Sequence, residues 1–529
     1  MGIETHGISG IDVKMLKAQL HSGDPIALID VREPGEAGEG RPLLAVNLPY
    51  SRLEVDAMQL LPCLTMPIVL MDDGGSDDRA LRSASRLAGI GYQSLSVMNG
   101  GLAAWAAAGF SVYKGVNVPS KTFGELLEHG HDTPAIDAAE LEAMRQGDEP
   151  PLILDGRTPA EFERMSIPDA ISCPNGELAL RAAAMAKPGQ TIVVNCAGRT
   201  RSIVGAQTLI DFGIPNDVVA LRNGTMGWYL SGFELDHGET RSFPNSVPED
   251  VLAAARARAA DLAVEAGIEF VSAADVRGWQ RDPDACVYAL DVRTHAEVAR
   301  DPHPGAVHAP GGQLVQTTDH WIAARGARVV LIDSEGVRAV MAGRWLQQMG
   351  HDVCVLRPGE RLSAAPPMSG LSSAAGALAQ LDANALRAAM NGGASAVDLR
   401  ASADFGAAHV AGATWSIRPR VAALEVTSEV VLIADDADLA ALAAKDLSEC
   451  GVTVAGVHTG QPDDWRQAGL DVVENDPVPD SQRIDFLFFV HDRHQGNAQA
   501  ARDYLEWEIG LVGQLDADER ALFGVAGHA

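Results

Sequence analysis

Short apolar runs recur along the chain, and each is followed by a polar turn and a stretch with helical spacing. Such runs next to amphipathic segments predict the strands and helices of parallel α/β units. Four of them end in the pattern Asp-x-Arg, at Asp30-Val31-Arg32, Asp155-Gly156-Arg157, Asp291-Val292-Arg293 and Asp398-Leu399-Arg400. By subtraction these sites lie 125, 136 and 107 residues apart. The spacings suit complete small domains and exceed the roughly 20 to 50 residues of solenoid repeats.

A second apolar run follows each Asp-x-Arg site and leads into a loop and a helix. The runs end at Asp72, Cys196, Asp333 and Asp435, so one copy of four has a cysteine at this position. A closing element recurs as Trp105 with Gly109-Phe110, as Trp228 with Gly232-Phe233 and as Trp465 with Gly469-Leu470, whereas the third copy lacks the tryptophan. The repeat predicts four α/β domains, which agrees with 529 residues at about 100 to 200 residues per domain.

The predicted domains span residues 1–115, 116–240, 241–366 and 367–475. We expect residues 116–133 to be a polar connector. We expect residues 251–266, rich in Ala and Arg, to form a helix that packs on the sheet of the second or third domain. The prolines, serine and glycine of residues 366–370 predict a linker.

A C-terminal extension over residues 476–529 departs from the repeat. Residues 484–490 predict a strand, and residues 498–514, with Tyr504, Trp507 and Leu511, predict a helix. We expect this extension to dock on a domain or on a second chain. The sequence leaves the oligomeric state open, a homo-oligomer included.

Composition narrows the classes of protein. The hydrophobic content of 47% is enough for several cores, and no apolar run approaches the roughly 18 to 20 residues of a membrane helix. A net charge of −30 argues against non-specific binding to nucleic acids or anionic membranes. The six cysteines show no paired spacing, and residues 1–10 lack the features of a secretion signal. We therefore expect a cytoplasmic protein without a disulfide framework.

The cysteine of the second domain carries the candidate chemistry. Cys196 ends an apolar run and is followed by Ala197, Gly198, Arg199, Thr200, Arg201 and Ser202 before a predicted helix. A helix N-terminus and nearby arginines lower the pKa of a thiol from about 8.5, which favours the nucleophilic thiolate. Successive backbone N–H groups in such a loop also form a cradle for an anion.

The six residues Cys196 to Arg201 resemble the active-site loop of the rhodanese family of sulfurtransferases. The flanking motifs Asp155-Gly156-Arg157-Thr158, Ile167-Pro168-Asp169-Ala170 and Trp228 follow the order of that family. The resemblance implies tandem domains, each with a mostly parallel sheet flanked by helices. It also implies that Cys196 is the catalytic residue, that residues 197–202 bind substrate, and that Asp155 and Arg157 support the site.

This resemblance implies transfer of a sulfane sulfur through a persulfide on Cys196. The expected donor is a small anion, most simply thiosulfate, and the expected acceptor is cyanide, a thiol or a protein. Neither a metal nor an organic cofactor is implied. Asp72, Asp333 and Asp435 replace the nucleophile elsewhere, and a carboxylate does not hold a transferable sulfur, so the other three domains are expected to be inactive.

Two other functions fit parts of this pattern. A sulfur carrier, scaffold or redox sensor that uses Cys196 is the principal alternative, because three of the four loops lack the cysteine. A tyrosine-phosphatase-like enzyme needs Arg six positions after Cys, where this chain has Ser202.

The other five cysteines are expected to be core residues: Cys63, Cys173, Cys286, Cys354 and Cys450. Cys173 is also considered as a sulfur acceptor.

Overall fold

The computed structural model describes residues 8–75, 77–364, 378–491, 493 and 496–525. The predicted linker at residues 366–370 lies outside them. The strands are β1 (Ser9–Ile11), β2 (Ile26–Asp30), β3 (Ala45–Asn47), β4 (Ile68–Met71), β5 (Leu95–Met98), β6 (Ala135–Ile136), β7 (Leu152–Asp155), β8 (Ile171–Ser172), β9 (Ile192–Asn195), β10 (Val218–Leu221), β11 (Glu269–Val271), β12 (Val287–Asp291), β13 (Val307–His308), β14 (Ala324–Arg325), β15 (Arg328–Ile332), β16 (Asp352–Leu356), β17 (Ser395–Asp398), β18 (Ala408–Val410), β19 (Thr414–Trp415), β20 (Glu429–Ile433), β21 (Thr453–His458) and β22 (Val472–Glu474).

Helices flank these strands along the whole chain. They are α1 (Val13–Leu20), α2 (Pro34–Gly38), α3 (Leu53–Leu60), α4 (Arg79–Gly89), α5 (Gly101–Ala107), α6 (Val118–His131), α7 (Ala138–Arg145), α8 (Pro159–Arg164), α9 (Leu178–Met185), α10 (Thr200–Phe212), α11 (Gly224–Leu230), α12 (Glu249–Ala266), α13 (Ala273–Arg281), α14 (His295–Arg300), α15 (Gly311–Gln316), α16 (Val337–Gln348), α17 (Ala383–Asn391), α18 (Ser402–Ala407), α19 (Ala437–Glu449), α20 (Pro462–Gln467), α21 (Phe488–His491), α22 (Ala498–Gly510) and α23 (Ala517–Ala521). Where the chain is described, no helix is long and apolar enough to cross a membrane.

The main sheets repeat one strand order, and we call each sheet with its helices a unit. The orders are β1-β5-β4-β2 with β3 beside β2, β6-β10-β9-β7-β8, β11-β16-β15-β12-β13, and β19-β17-β20-β21. In the fourth unit a parallel bridge between Gln380 and Val457 takes the place of the first edge strand. Strand β14 pairs antiparallel with β2 and so joins the third unit to the first sheet. The tandem α/β architecture with mostly parallel sheets is confirmed.

The Asp-x-Arg pattern forms the same buried ion pair in all four units. The aspartate oxygen and the arginine Nη2 are 2.6 to 2.7 Å apart. The same Nη2 donates to the backbone carbonyl eight residues further along, at 2.6 to 2.8 Å. A planar guanidinium satisfies both acceptors at once, so each pair fixes the end of its strand to the segment that follows it.

The segment expected to be a polar connector is largely the buried helix α6, so that prediction was wrong. Its polar residues are buried because they meet charged partners from other segments: Glu125 binds Arg199, and Lys121 binds Glu508. The helix contacts α10, α15 and α22. The expected helix at residues 251–266 is present as α12. Its main contacts are with the helices α9, α10 and α16, so the expected packing on a sheet was wrong.

The C-terminal extension is partly as expected. Residues 484–490 do not form the predicted strand; they make a turn that leads into α21. Arg483 stacks on Phe486 at 3.8 Å, and Ile484 O accepts a single hydrogen bond from Gly35 N at 2.7 Å, so local packing replaces a strand ladder. The predicted helix is present as α22, followed by one turn over residues 512–514.

This extension docks on the first unit and on the active-site region of the second. Lys17 Nζ binds Asp516 and Glu519 at 2.7 and 3.2 Å, and the Tyr113 hydroxyl donates to Glu519 at 2.5 Å.

Four of the five cysteines other than Cys196 are buried as expected, whereas Cys450 is exposed at the end of α19. The apolar spacing of that helix ends before Cys450, which explains the error.

Candidate active site

The loop that begins at Cys196 connects β9 to α10. Cys196 is 2% exposed, and its Sγ accepts a hydrogen bond from Ser202 Oγ at 3.1 Å. The carbonyls of Cys196 and Ala197 accept hydrogen bonds from the backbone N–H groups of Thr225 and Met226 at 2.8 and 3.0 Å. These bonds join the loop to the start of α11, so α11 helps to fix the position of the thiol.

Gly224 is required for this contact. Its φ of +52° lies in the left-handed region, and a Cβ there would lie 2.2 Å from Cys196 O. Only glycine allows the two backbones to approach so closely.

Backbone N–H groups line the loop without acceptors. Among the described residues, no acceptor is found for the N–H groups of residues 197–202. The first turn of a helix and the loop before it leave such groups unpaired unless a side chain or a ligand accepts from them. The loop therefore has the free donors that an anion cradle needs.

The equivalent loops of the first and third units fill their own cradles. Asp72 accepts from Gly74 N and Ala80 N, both at 2.9 Å. Asp333 accepts from Arg338 N at 2.9 Å and also binds the Arg338 guanidinium at 2.7 Å. In the fourth unit the exposed Asp435 is followed almost at once by α19, which begins at Ala437. The cysteine-bearing loop differs from the first and third because its N–H donors have no acceptor among the described residues.

The ion pair of Asp155 and Arg157 lies beneath the loop. Asn195, the residue before Cys196, donates from Nδ2 to Asp155 Oδ2 at 3.0 Å. The Asn195 carbonyl accepts from Gly156 N at 2.9 Å. Both residues of the pair are almost fully buried and do not line the cavity, so their connection to the loop is through Asn195 at the end of β9.

Arg201 is held beside the cysteine by Glu161. Two guanidinium nitrogens donate to the Glu161 carboxylate at 2.8 and 2.7 Å, and Thr158 donates to the same carboxylate from N and Oγ1. Burial disfavours a charged Glu161, but Arg201 outweighs it and holds the pKa of this carboxyl well below its usual range. The pKa of Arg201 is raised, because Glu161 and then Cys196 outweigh burial.

Arg199 points toward α6. Its Nε and Nη2 donate to Glu125 at 2.7 and 2.8 Å, and Nη2 also contacts Glu128. Burial opposes the charge of Arg199, but Glu125 outweighs it and raises the pKa of the guanidinium. Both arginines that the sequence singled out thus have carboxylate partners while they line the cavity above Cys196.

That cavity has a volume of about 210 Å³ and draws its walls from four parts of the chain. Beside residues 196–201 and Glu161 of the second unit, its lining comes from the segment that enters α6 (Val116, Asn117, Lys121), from the third unit (Gln313, Gln316, Thr317) and from the extension (Arg493, Tyr504, Glu508). The described lining residues include four cations and two carboxylates. Arg201 and Lys121 are paired with these two carboxylates, and Arg199 is paired with Glu125 and Glu128, so most of this cationic charge is balanced locally.

Neither Lys121 nor Glu508 was predicted from the sequence to belong to the site. Glu508 accepts from Lys121 Nζ at 3.0 Å and from Thr200 Oγ1 at 2.8 Å, and Lys121 also contacts the Tyr504 hydroxyl. A signal existed for Glu508, which lies at helical spacing from Ala501, Tyr504 and Leu505 on the buried face of α22. A carboxylate on an apolar face indicates a buried partner. Lys121 has no comparable signal.

Comparisons with known proteins agree with this geometry. A family model for the rhodanese-like domain matches residues 12–108, 137–231 and 272–359. The crystal structure of a thiosulfate sulfurtransferase from Pseudomonas aeruginosa matches with a TM-score of 0.88 at 37% identity, covering 98% of this chain and 99% of that chain. The structural match thus extends over the fourth unit, which the family model does not reach.

Shorter structures match single domains. The Alr3790 protein from Anabaena sp. covers 20% of this chain and 93% of its own, at 25% identity and a TM-score of 0.19. A rhodanese-like domain protein from Staphylococcus aureus covers 20% of this chain and 100% of its own, at 26% identity and a TM-score of 0.18. No curated protein matches the sequence.

Proposed function

Because the chain belongs to the rhodanese-like domain family, we propose that it is a sulfurtransferase in which Cys196 carries a sulfane sulfur as a persulfide. The observation that carries the proposal is the free cradle of residues 197–202 around a nearly buried thiol, when the first and third units fill the same place with a carboxylate. A charged sulfur attached to Cys196 would accept from donors that are otherwise unpaired.

The donor we propose is thiosulfate. The Cys196 thiolate attacks the outer sulfur of thiosulfate, the bond between the two sulfurs of thiosulfate breaks, and its electron pair leaves with sulfite. Four cations line the cavity, which suits an anionic donor, and Arg201 is close enough to Cys196 for the two groups to interact electrostatically. The small volume of about 210 Å³ also suits a small donor.

In the second half-reaction a nucleophile takes the outer sulfur. Cyanide, a thiol or a protein thiol attacks that sulfur, and the electron pair of the broken bond returns to Cys196. All six cysteines are free, which suits a reducing compartment such as the cytoplasm. The first, third and fourth units serve as inactive partners in this proposal, and the third unit supplies Gln313, Gln316 and Thr317 to the cavity wall.

Mass spectrometry of the intact protein and its peptides tests the proposal. Incubation with thiosulfate should add one sulfur atom to the Cys196 peptide, and cyanide should remove it. A Cys196→Ser variant should gain no sulfur and keep the wild-type melting temperature, because Ser differs from Cys by one atom. Sulfur on another cysteine, or on the serine variant, would contradict the assignment; loading only from a protein persulfide would favour a carrier.

A further inference from the structure

The carboxylate of Glu508 has one oxygen that the fold leaves unused. Oε1 accepts from Lys121 and Thr200. Oε2 is buried and has no hydrogen-bond partner among the described residues. An unpaired carboxylate oxygen away from water costs free energy unless a ligand supplies a donor.

The unused oxygen faces the active-site loop. It lies 3.1 Å from the position that a Cβ on Gly198 would take, two residues after Cys196, and Glu508 and Cys196 line the same cavity. The other carboxylate in the lining, Glu161, is engaged by Arg201 through both oxygens. Gln316 Oε1 is also buried without a partner among the described residues, but an amide does not take up a proton at neutral pH.

We propose that Glu508 is the base that removes the proton from a thiol acceptor as the thiol attacks the persulfide on Cys196. This inference rests on the proposed sulfurtransferase function and extends it to the acceptor half-reaction. The residue comes from the C-terminal extension, so the extension supplies a catalytic group to the second unit.

The step balances as follows. The acceptor sulfur forms a bond to the outer sulfur of the persulfide, the bond from that sulfur to Cys196 Sγ breaks, and its electron pair stays on Sγ. The thiol proton passes to Glu508 Oε2 and is later lost to solvent. A thiol that is forming a sulfur–sulfur bond becomes strongly acidic, so even a weakly basic carboxylate accepts its proton in a concerted step.

Glu508 is ionised and able to act in this way at neutral pH. Burial opposes its charge, but Lys121 outweighs burial and lowers the pKa of the carboxyl, with Thr200 contributing. The titratable and charged groups that face it are Lys121 and Glu125 of α6, Arg199 of the loop, and Tyr504 and Arg493 of the extension.

Single-turnover transfer from the loaded enzyme tests the proposal. Cys196 is loaded with thiosulfate, the donor is removed, and loss of the persulfide is followed by mass spectrometry after mixing with 2-mercaptoethanol or with sulfite at pH 8. Sulfite is an anion with no proton to lose. Glu508→Gln should slow transfer to the thiol by about 10²-fold, a typical size for general-base catalysis, and leave transfer to sulfite unchanged.

Glu519→Gln is the matched control. Glu519 is a buried glutamate of the same extension that binds Lys17 and Tyr113, and none of these three lines the cavity. Because Glu508 keeps its own contacts with Lys121 and Thr200 in this variant, neither reaction should slow. If Glu508→Gln slowed both acceptors by one factor, its role would be structural and the proposal wrong.

A pH profile of the wild-type enzyme gives a second test that does not depend on any variant folding. With a base in place, transfer to the thiol should vary little between pH 6 and 8. Attack by a pre-ionised thiolate would instead rise about tenfold per pH unit below a thiol pKa of about 8.5, and that result in the wild type would overturn the proposal. Failure of thiosulfate to load Cys196 would refute the proposed function itself, and this inference with it.

Discussion

Replacing Gly224 with alanine tests whether the contact between α11 and the Cys196 loop sets the reactivity of the thiol. A Cβ at residue 224 would lie 2.2 Å from Cys196 O, whereas ordinary contact begins at 3.4 Å, so the loop must move by about 1 Å. A displacement of about 1 Å in an active site can cost about 10²-fold in rate. We expect kcat/KM for thiosulfate to fall by that factor, with a lower melting temperature.

The repeat supplies a matched control in the first unit, whose loop has Asp72 in place of the cysteine. Gly101 has a φ of +54°, and a Cβ there would lie 2.3 Å from Gly74 N and 2.7 Å from Asp72 O. Gly101→Ala should therefore destabilise the first unit much as Gly224→Ala destabilises the second, while activity is kept. Gly232 has a positive φ but no atom within 4 Å of the added Cβ, so Gly232→Ala should show strain of about 1 to 2 kcal/mol and no loss of rate.

Two results would refute this reasoning. Wild-type kcat/KM in Gly224→Ala would mean that the loop accommodates the methyl group without moving the thiol. An equal loss of activity in Gly101→Ala would mean that the units are coupled and that the effect is not local. Thermal unfolding of all three variants, measured beside the sulfur-transfer assay, separates these cases.

Two further predictions concern ion pairs of the second and third units. Glu161→Gln should lower the melting temperature at pH 7, because a carboxyl whose pKa is depressed by folding stabilises the protein above its unfolded pKa of 4.5. This stabilisation is lost as the pH falls through the folded pKa, so the difference in melting temperature between variant and wild type should shrink in acid. A difference that does not depend on pH would contradict the ion pair with Arg201. Asp333→Ala should destabilise the third unit by about 3 kcal/mol, because it removes a partner of the fully buried Arg338; the exposed Asp435 is the control, and equal shifts in urea unfolding midpoints would refute the cradle interpretation.

The fold was predictable because the repeat appears in apolar runs and in one ion pair. Asp155 and Arg157 are two residues apart, so the pair forms locally and the sequence pattern reports it directly. The prediction of a strand at residues 484–490 was wrong because an apolar, aromatic run does not show whether a neighbouring strand is available to pair with it. In the structure those residues lie against α2 of the first unit, and one backbone hydrogen bond, from Gly35 N to Ile484 O, joins them.

The cavity was only half predictable, for a physical reason. The residues of the Cys196 loop are adjacent in sequence, but Lys121, Gln316 and Glu508 reach the site from three other segments. Polar residues of α6 suggested an exposed connector, because a sequence does not show that Lys121 and Glu125 meet opposite charges 74 or more residues away. Long-range charge pairing of this kind is invisible to local patterns.

The loops of the first, second and third units differ in how their backbone N–H groups are satisfied. In the first and third units a carboxylate accepts from the loop and helix N–H groups, so the anion site is satisfied without a ligand. In the Cys196 loop the N–H groups of residues 197–202 have no acceptor within the described chain, which is unfavourable in the absence of a ligand. The loops of the first and third units are stabilised by their own carboxylate, and the loop of the second unit lacks this stabilisation. Under the proposed function, a persulfide on Cys196 would accept hydrogen bonds from these N–H groups. That stabilisation would favour loading of Cys196 over any thiol elsewhere in the chain.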